Sequence, residues 1–444
     1  MEPSRPTTKQ ESEILNLLKL VRKSCNNIED NVGREVKISL PDCIMSGVAM
    51  FEFKYPSLLQ FDKDGRADTM LAHNLKTLFK VNNVPSDTYF RERLDPVEPA
   101  ALQQPIKEII NYLQNNKTLS DHKYSIDTNS SDEFYVVSVD ATGNFSSNEV
   151  HCDSCCVKHH NDGSVTYYHQ TLAAVMVHPE RKTVLPLCIE PITKKDGATK
   201  NDCEHSAAKR LLENLRASYP KLKMLIVMDG LYADSVIISQ LLKLKFSFII
   251  TAKEKDLKYM FDEYKVSSKQ TLHVKYPGTP ELNYQFVENM SLNYEHSDMK
   301  VNVLECKETK KNKETRFCWI TNLALSDKTV QRIARAGRAR WRIENKTFNT
   351  LKNQGYNFEH NFGHGVKNLS SVLTYLMFIA FLIDQAQQIC CDFFKSALLK
   401  CESKMRLWRK MYVYLASHFI DSWEQLYLAI THNLGSRLML ANTA

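Results

Sequence analysis

The sequence predicts an α/β fold in which a mixed sheet carries a β-rich insertion and is flanked by helical regions at both ends. Apolar runs rich in β-branched residues, which are typical of strands, alternate with helical patterns between residues 126 and 255. A second group of strand-like segments follows over residues 256–322. Helical periodicity dominates residues 1–125 and returns from residue 323 onward. Three successive strands, followed by alternating helices and strands, indicate a mixed sheet.

Composition places the chain among ordinary globular proteins. Its 444 residues are 43% hydrophobic and 25% charged, and the net charge of +7 is only a weak indication of an anionic partner. Twelve cysteines behind a polar N-terminus predict a reduced, cytoplasmic protein that is associated with the nucleoid if it acts on DNA. The apolar run VLTYLMFIAFLI is too short for the ~20 residues that cross a bilayer, so we expect a core helix and no membrane partner.

The first 125 residues are predicted to form a helical N-terminal region. Two segments have helical spacing, and pieces that contain proline and aspartate separate them. They are ESEILNLLKLVRKSC and PAALQQPIKEIINYLQNN. The polar stretch SDHKYSIDTNSSDE then predicts a domain boundary.

Residues 126–255 are predicted to form the first part of the α/β domain. A helix, HSAAKRLLENLRASY, precedes the fourth predicted strand, and another, ADSVIISQLLKLK, follows it. The five predicted strands are YVVSVDATG, TLAAVMVH, KTVLPLCIEPI, KMLIVMDG and FSFIITA.

Residues 256–322 are predicted to be a β-rich insertion without intervening helices. Its strand-like segments are YKVSSKQTLHVKYPG, LNYQFVENMSLNYEH, KVNVLECKET and TRFCWITNLAL. The chain then becomes helical, with residues 323–390 expected to complete the α/β domain and residues 391–444 to form a helical C-terminal region.

Two predicted strands end in an aspartate, and a later helix carries a glutamate in an unusual place. Asp140 and Asp229 follow continuous apolar runs, at the carboxyl ends of strands where open α/β sheets place their sites. Each of them could instead cap a turn. In RARWRIENKTFNTLK, Glu344 falls on the same predicted helical stripe as Trp341 and Phe348. Because an unpaired buried carboxylate costs several kcal/mol, we expect an arginine, a metal ion or solvent beside it.

Three converging carboxylates predict a divalent metal site. Carboxylates brought together repel one another unless protons or cations compensate them. Oxygen ligands suit Mg²⁺ or Mn²⁺, and two such ions can activate a water or a 3′-hydroxyl and stabilise the leaving oxygen of a phosphodiester. We therefore expect two ions, bound by Asp140, Asp229 and Glu344.

These residues resemble the signature of the DDE transposases of bacterial insertion sequences. The resemblance covers roughly residues 130 to 385, and it implies a ribonuclease H-like catalytic domain with a β-insertion. It also implies that Asp140, Asp229 and Glu344 are the catalytic, metal-binding triad. The matching blocks are VDATG, NDCEHSAAKRLLENL, VMDGLYAD and RWRIENKTFNTLKNQGYNFEHNFGHG.

One motif departs from the related Tyr-Arg-Glu-Lys signature. The arginine role carries over to Arg340, which lies four residues before Glu344. Gly337 stands where the tyrosine is expected, and Leu351 stands in place of the lysine, with Lys352 one residue later.

Basic residues around the glutamate are expected to bind DNA phosphates. They are Arg338, Arg340, Arg342, Lys346 and Lys352. The alternative is a solvated helix face with Glu–Lys pairing, and Arg340 is alternatively the ion-pair partner of Glu344. Trp319 is expected either to stack on an unpaired base, as the resemblance suggests for the insertion, or to belong to the core.

The stretch HCDSCCVKHH suggests a structural zinc site. Cys152 and Cys155 have the Cys-x-x-Cys spacing of a zinc knuckle, with His159 or Cys156 as a third ligand. Cys203 or His205 is the candidate for the fourth. The alternative is a cysteine-rich loop without a metal.

Together these features predict a cut-and-paste DNA transposase. Its partners are the terminal inverted repeats, bound by the helical N-terminal region, and target DNA; two ends must be joined, so we expect a homodimer on DNA. Two alternatives remain. One is a ribonuclease H-like nuclease without strand transfer, and the other is a transposase-derived DNA-binding protein without catalysis.

Overall fold

A computed structural model describes residues 13–30, 36–67, 69–194, 200–311 and 313–432. The chain divides into two compact units, a helical unit (residues 1–118 and 350–444) and a sheet unit (residues 119–349). The outermost parts of the two predicted helical regions, residues 1–12 and 433–444, lie outside the described residues. The functional roles assigned to the five predicted parts of the chain stay predictions.

The α-helices occur mainly at the two ends of the chain, as predicted. In chain order they are α1 (Glu13–Cys25), α2 (Leu40–Glu52), α3 (Leu58–Ala67), α4 (Thr69–Phe79), α5 (Asp87–Leu94), α6 (Gln103–Asn115), α7 (Lys200–Ser218), α8 (Ser235–Lys243), α9 (Lys258–Val266), α10 (Val330–Arg338), α11 (Asn349–Asn353), α12 (Leu369–Cys390), α13 (Asp392–Cys401), α14 (Lys404–Ser417) and α15 (Trp423–His432). A π-helix, Ile343–Phe348, precedes α11.

The strands occupy the middle of the chain. They are β1 (Tyr124–Ser125), β2 (Glu133–Ser147), β3 (Cys156–His159), β4 (Val165–Val177), β5 (Leu185–Ile192), β6 (Met224–Met228), β7 (Ser247–Thr251), β8 (Gln270–Val274), β9 (Glu281–Ser291), β10 (Lys300–Lys310) and β11 (Lys313–Thr321).

The helical unit is built around α12, which contains the longest apolar run of the sequence. This helix is long and apolar enough to cross a membrane, but 89% of its most apolar stretch is buried inside the protein. Apolar side chains on all sides of the helix are buried by other parts of the protein, and this burial stabilises the helix as a core element. The prediction of a core helix is confirmed.

A buried ionic cluster joins α12 to the end of α2 within the helical unit. The Lys54 ammonium lies 2.8 Å from an Asp384 carboxylate oxygen, and the two side chains are 7% and 1% exposed. The same ammonium lies over the rings of Tyr356 and Trp408, at 4.2 and 4.4 Å from their centroids. Glu52, the last residue of α2, is also buried.

The sheet unit contains the predicted mixed sheet. Strands β2, β4 and β5 pair antiparallel, and β2, β6 and β7 pair parallel, which gives the spatial order β5-β4-β2-β6-β7. Helix α7 lies between β5 and β6 in the chain, and α8 between β6 and β7. Three antiparallel strands continued by two parallel ones form the ribonuclease H-like arrangement, so the predicted fold class is confirmed.

The insertion extends this sheet. Strand β11 pairs antiparallel with β7, and β10, β9 and β8 follow in order on its far side. The expectation of an insertion without helices is wrong, because α9 occupies Lys258–Val266. Met260, Phe261 and Tyr264 are its buried residues, and their i, i+1, i+4 spacing fits one helical face. The apolar pattern covers too few residues to distinguish a helix from a strand by sequence alone.

Candidate active site

The strand register brings Asp140 and Asp229 to the same place on the sheet. Parallel strands β2 and β6 pair Ser138 with Val227, and each aspartate lies two residues further along the chain. Asp229 directly follows β6 as predicted, but the prediction that Asp140 ends its strand is wrong, because pairing with β4 continues β2 to Ser147. Side chains two residues apart on a strand point to the same face, and neighbouring strands lie about 4.8 Å apart. The two carboxylates therefore project from adjacent strands on one side of the sheet.

Arg340 connects Glu344 to the first of these aspartates. One guanidinium nitrogen, Nη1, donates to Asp140 Oδ2 at 3.0 Å and to Glu344 Oε1 at 2.8 Å. Arg340 is 6% exposed, and its carbonyl oxygen accepts a hydrogen bond from the buried Ser138 hydroxyl at 3.1 Å. This bond holds the helical segment against β2, so residues about 200 positions apart in the sequence meet at one site.

Lys253 is the cationic partner of the second aspartate. It lies two residues after β7, and its ammonium is 3.1 Å from Asp229 Oδ2. The sequence reasoning missed this residue. The sequence did contain an indication, because FSFIITAK is a further apolar run that ends in a charged residue, and its strand β7 runs parallel to β6, which ends just before Asp229.

The two aspartates differ in their electrostatic environment. Burial raises the pKa of Asp140 to about 7, with a further contribution from the Glu344 carboxyl, although the charge of Arg340 opposes the shift. Burial also tends to raise the pKa of Asp229. There, the Gly230 amide and the Lys253 ammonium outweigh it, so the pKa is lowered. Burial thus disfavours the ionised form of Asp140, and a divalent cation bound beside the carboxylate would favour that form.

The chain departs from regular α-helix at the glutamate. The Asn349 amide donates to the Glu344 carbonyl, which is the i to i+5 bond of the π-helix. Trp341 is 52% exposed, whereas Phe348 is buried. The prediction that Trp341 shares a buried stripe with Phe348 is therefore wrong, because the wider π-turn shifts the phase on which the 100° spacing depends.

A cavity of about 500 Å³ adjoins the acids on the side of the insertion. Its lining includes Asp229 and four basic side chains, and the Phe317 and Trp319 rings are stacked with centroids 5.8 Å apart. The basic residues are Lys253, Arg316, Arg338 and Arg340. Such a cavity offers both positive charge for a phosphate and aromatic surface for a base.

The packing around Gly337 explains why a glycine stands in place of the tyrosine of the related signature. A Cβ atom at this position would lie 2.7 Å from Nε1 of the Trp319 indole, closer than any real contact. Trp319 is 3% exposed and fills the space that a larger side chain at position 337 would need. The glycine and the tryptophan are therefore complementary in size.

The remaining predicted DNA-binding residues differ in exposure. Arg338 is half exposed, pairs with Glu308 at 2.6 Å, and lies over the Phe317 ring. Arg342 donates to the Pro179 carbonyl at 2.6 Å, and Lys346 is exposed. Lys352 belongs to the helical unit, where it pairs with Glu359 at 2.7 Å.

Two of the predicted zinc ligands meet a histidine that was not predicted. The thiols of Cys152 and Cys155 lie with His169 in a group whose potential ligand atoms are all within 4.8 Å of one another. His159, which is exposed on β3, and Cys203, which is buried in α7, are not members of that group. The cysteines that the structure describes form no disulfide, and burial raises the pKa of Cys155 to about 11.

The three acids have the chemistry of a site for a hard divalent ion. Their donors are carboxylate oxygens, and Arg340 and Lys253 already lie within hydrogen-bond distance of them. Mg²⁺ and Mn²⁺ prefer such ligands. The donor set therefore fits the metal that the sequence predicts.

A comparison with protein-family models agrees with this chemistry. A family model described as the transposase DDE domain matches residues 153–382, a range that contains Asp229 and Glu344 and begins after Asp140. Among solved structures, the chain is similar to a piggyBac transposase in a cryo-EM synaptic complex with hairpin DNA. That similarity has 10% sequence identity and a TM-score of 0.43, and covers 97% of this chain and 84% of the other. No curated protein matches. The family model spans more than half of the sequence, and the chain belongs to the transposase DDE domain family.

Proposed function

We propose that this protein is a cut-and-paste DNA transposase that cleaves at terminal inverted repeats and joins the ends to target DNA. The observation that supports the proposal most strongly is the convergence of Asp140, Asp229 and Glu344 around Arg340 and Lys253. Family membership supports a role in transposition, and the acids supply a place for phosphodiester chemistry.

The three acids would hold two Mg²⁺ or Mn²⁺ ions. When bound, such ions supply an activated oxygen nucleophile and stabilise the leaving oxygen. The chain's own contribution is to hold Asp140 on β2 in register with Asp229 directly after β6, and to position Glu344 through the buried arginine. Arg340 and Lys253 would keep the acids compensated before metal arrives.

Basic and aromatic residues of the chain would bind the DNA. Arg338, Arg342, Lys346 and Lys352 would neutralise phosphates, which predicts binding that weakens with salt. The cavity lined by Phe317 and Trp319 would accept an unpaired base. Of the two tryptophans at the site, Trp341 has the larger exposed ring, so we assign the stacking surface mainly to Trp341 and the wall of the cavity to Trp319.

The helical N-terminal region would recognise the inverted repeats. Joining two ends requires that both be held at once, so the active species would be at least a homodimer on DNA.

Single substitutions of the three acids test this proposal. Asp140→Asn, Asp229→Asn and Glu344→Gln remove charge with little change of shape, and each should reduce cleavage of a DNA end at least about a thousandfold. Binding of the same DNA should stay within a few-fold. Calorimetry should show that Mn²⁺ binding is lost as well. Asp162→Asn is the matched control, since that carboxylate caps the β3–β4 turn through Ser164. Full cleavage by any of the three acid variants would refute the assignment.

A strand-transfer assay separates the proposal from a nuclease of the same fold. Pre-cut ends with free 3′-hydroxyls should be joined to a target plasmid, whereas a simple nuclease would only degrade the substrates. The proposal of a catalytically silent DNA-binding protein predicts neither product and no heat of Mn²⁺ binding.

A further inference from the structure

A second cluster of metal-ligating side chains lies away from the acids, where the β2–β3 connection meets β4. The sulfur atoms of Cys152 and Cys155 are 3.9 Å apart. His169 Nε2 lies 3.5 Å from the first sulfur and 3.3 Å from the second. Cys155 and His169 are 1% and 5% exposed, and Cys152 is half-buried.

These distances match a tetrahedral zinc site. With Zn–S and Zn–N bonds of ordinary length, two sulfur ligands are about 3.8 Å apart, and a sulfur and a nitrogen are about 3.6 Å apart. A disulfide is excluded by the observed separation, because its sulfur atoms would be about 2.05 Å apart.

The local backbone is folded to present both sulfur atoms to the same side. The Cys155 amide donates to the Cys152 carbonyl at 3.1 Å, which closes a tight turn. The Cys152 amide donates in turn to Cys155 Sγ at 3.4 Å, and such a bond stabilises a thiolate. His169 approaches from a different element, on β4 opposite Phe145 of β2.

We propose that Cys152, Cys155 and His169 bind a structural Zn²⁺ ion. A water molecule or one further side chain completes the tetrahedron. The ligand set keeps the two cysteines that the sequence predicted and replaces His159 with His169. A strand residue 14 positions after the second cysteine has no recognisable knuckle spacing, so sequence alone does not identify it.

The position of the cluster indicates what the ion does. His169 lies four residues from Ala173, the partner of Asp140 in the pairing of β4 with β2. An ion here ties the β2–β3 connection to the strand that supports the first catalytic aspartate. It is separate from the carboxylate site, and this inference does not depend on transposition.

Metal content of the full-length chain tests the proposal. Protein loaded with Zn²⁺ and freed of excess should carry one zinc per chain by mass spectrometry. Cys152→Ser and His169→Ala should each reduce that content at least tenfold. His159→Ala and Cys156→Ser are matched controls that should keep it, since neither residue belongs to the group.

Spectroscopy of the unmodified chain keeps the test independent of any variant's folding. Co²⁺ added in place of zinc should give the intense visible bands of a tetrahedral site, together with a thiolate charge-transfer band in the near ultraviolet. A chelator should lower the melting temperature by several degrees, and Zn²⁺ but not Mg²⁺ should restore it. Absence of zinc after loading, unchanged zinc in Cys152→Ser, or a Cys152–Cys155 disulfide detected by mass would each overturn the proposal.

Discussion

Arg340 is the residue on which the arrangement of the carboxylates depends. It is buried and hydrogen-bonded to both Asp140 and Glu344, so its removal leaves two neighbouring carboxylates without a cation. We expect Arg340→Ala to lower the free energy of unfolding by about 3 kcal/mol in metal-free buffer. Mn²⁺ should recover part of this loss, because the ion supplies the missing positive charge. Urea denaturation with and without Mn²⁺ measures both effects.

The matched control for Arg340 is Arg335→Ala on α10. Arg335 is half exposed, and its nearest carboxylate, that of Glu180, is 3.8 Å away. Its substitution should change stability by less than about 0.5 kcal/mol. Equal stability of the Arg340 and Arg335 variants would contradict the role assigned to the buried arginine.

Trp341 is the residue that we expect to contact an unpaired base. Its ring is 52% exposed and lies beside Arg340, whose guanidinium is 4.7 Å from the ring centroid. Trp341→Ala should weaken binding of an end with unpaired bases about tenfold, since one stacked base contributes about 1–3 kcal/mol. The fluorescence of 2-aminopurine at the end should lose its quenching. Tyr276→Ala, an exposed aromatic at the β8–β9 turn, should have no effect on either measurement.

At the scale of elements, the packing of α10 on β11 depends on one glycine. Because a Cβ at Gly337 would clash with the Trp319 indole, Gly337→Ala should displace the ring and cost about 1–3 kcal/mol. The near-ultraviolet circular dichroism of the tryptophans should change with it. Gly143→Ala on β2 is the control, since its Cβ would lie 3.9 Å from the nearest atom and stability should hardly change. If the two variants melted at the same temperature, the proposed complementarity would be wrong.

The elements also show how far sequence reasoning reaches. Strands β2 and β6 were recognisable because apolar runs that end in Asp140 and Asp229 are buried on both faces. The orientation of Trp341 could not be predicted, because nothing in RARWRIENKTF indicates the π-turn. That turn changes which side chains share one face of the helical segment. His169 was missed for a different reason: its partners come from another element, and only strand pairing brings them together.

At the scale of the whole molecule, the buried ionic cluster of the helical unit makes stability depend on pH. Burial, and then the Asp384 carboxylate, raise the pKa of Glu52 well above its ordinary value, against the opposing charge of Lys54. The folded chain thus binds this proton more tightly than the unfolded chain. The stabilisation of the folded chain by this bound proton is complete below the ordinary carboxyl pKa of roughly 4.3. It is lost as the pH rises through the pKa of Glu52 in the folded chain.

Glu52→Gln should remove this dependence. The neutral amide mimics the protonated acid, so we expect the variant to gain stability relative to the parent chain as the pH rises from 5 to 9. Urea denaturation across that range measures the difference in slope. Glu92→Gln, at an exposed position of the same unit, should leave the slope unchanged. Parallel pH profiles for the parent and Glu52→Gln would show that the glutamate is already ionised in the folded state.

The continuous sheet has a mechanical consequence for the sheet unit. Strand β7 ends beside the acids and is hydrogen-bonded to β11, whose Trp319 pairs with Thr251 and whose Cys318 carbonyl accepts from the Ala252 amide at 2.8 Å. A hinge between the cavity and the carboxylates would have to break these backbone bonds. The sheet therefore fixes the distance between the cavity and the carboxylates. A nucleic acid that reaches both must bend, unpair or untwist to fit the protein, since this part of the protein does not close around it.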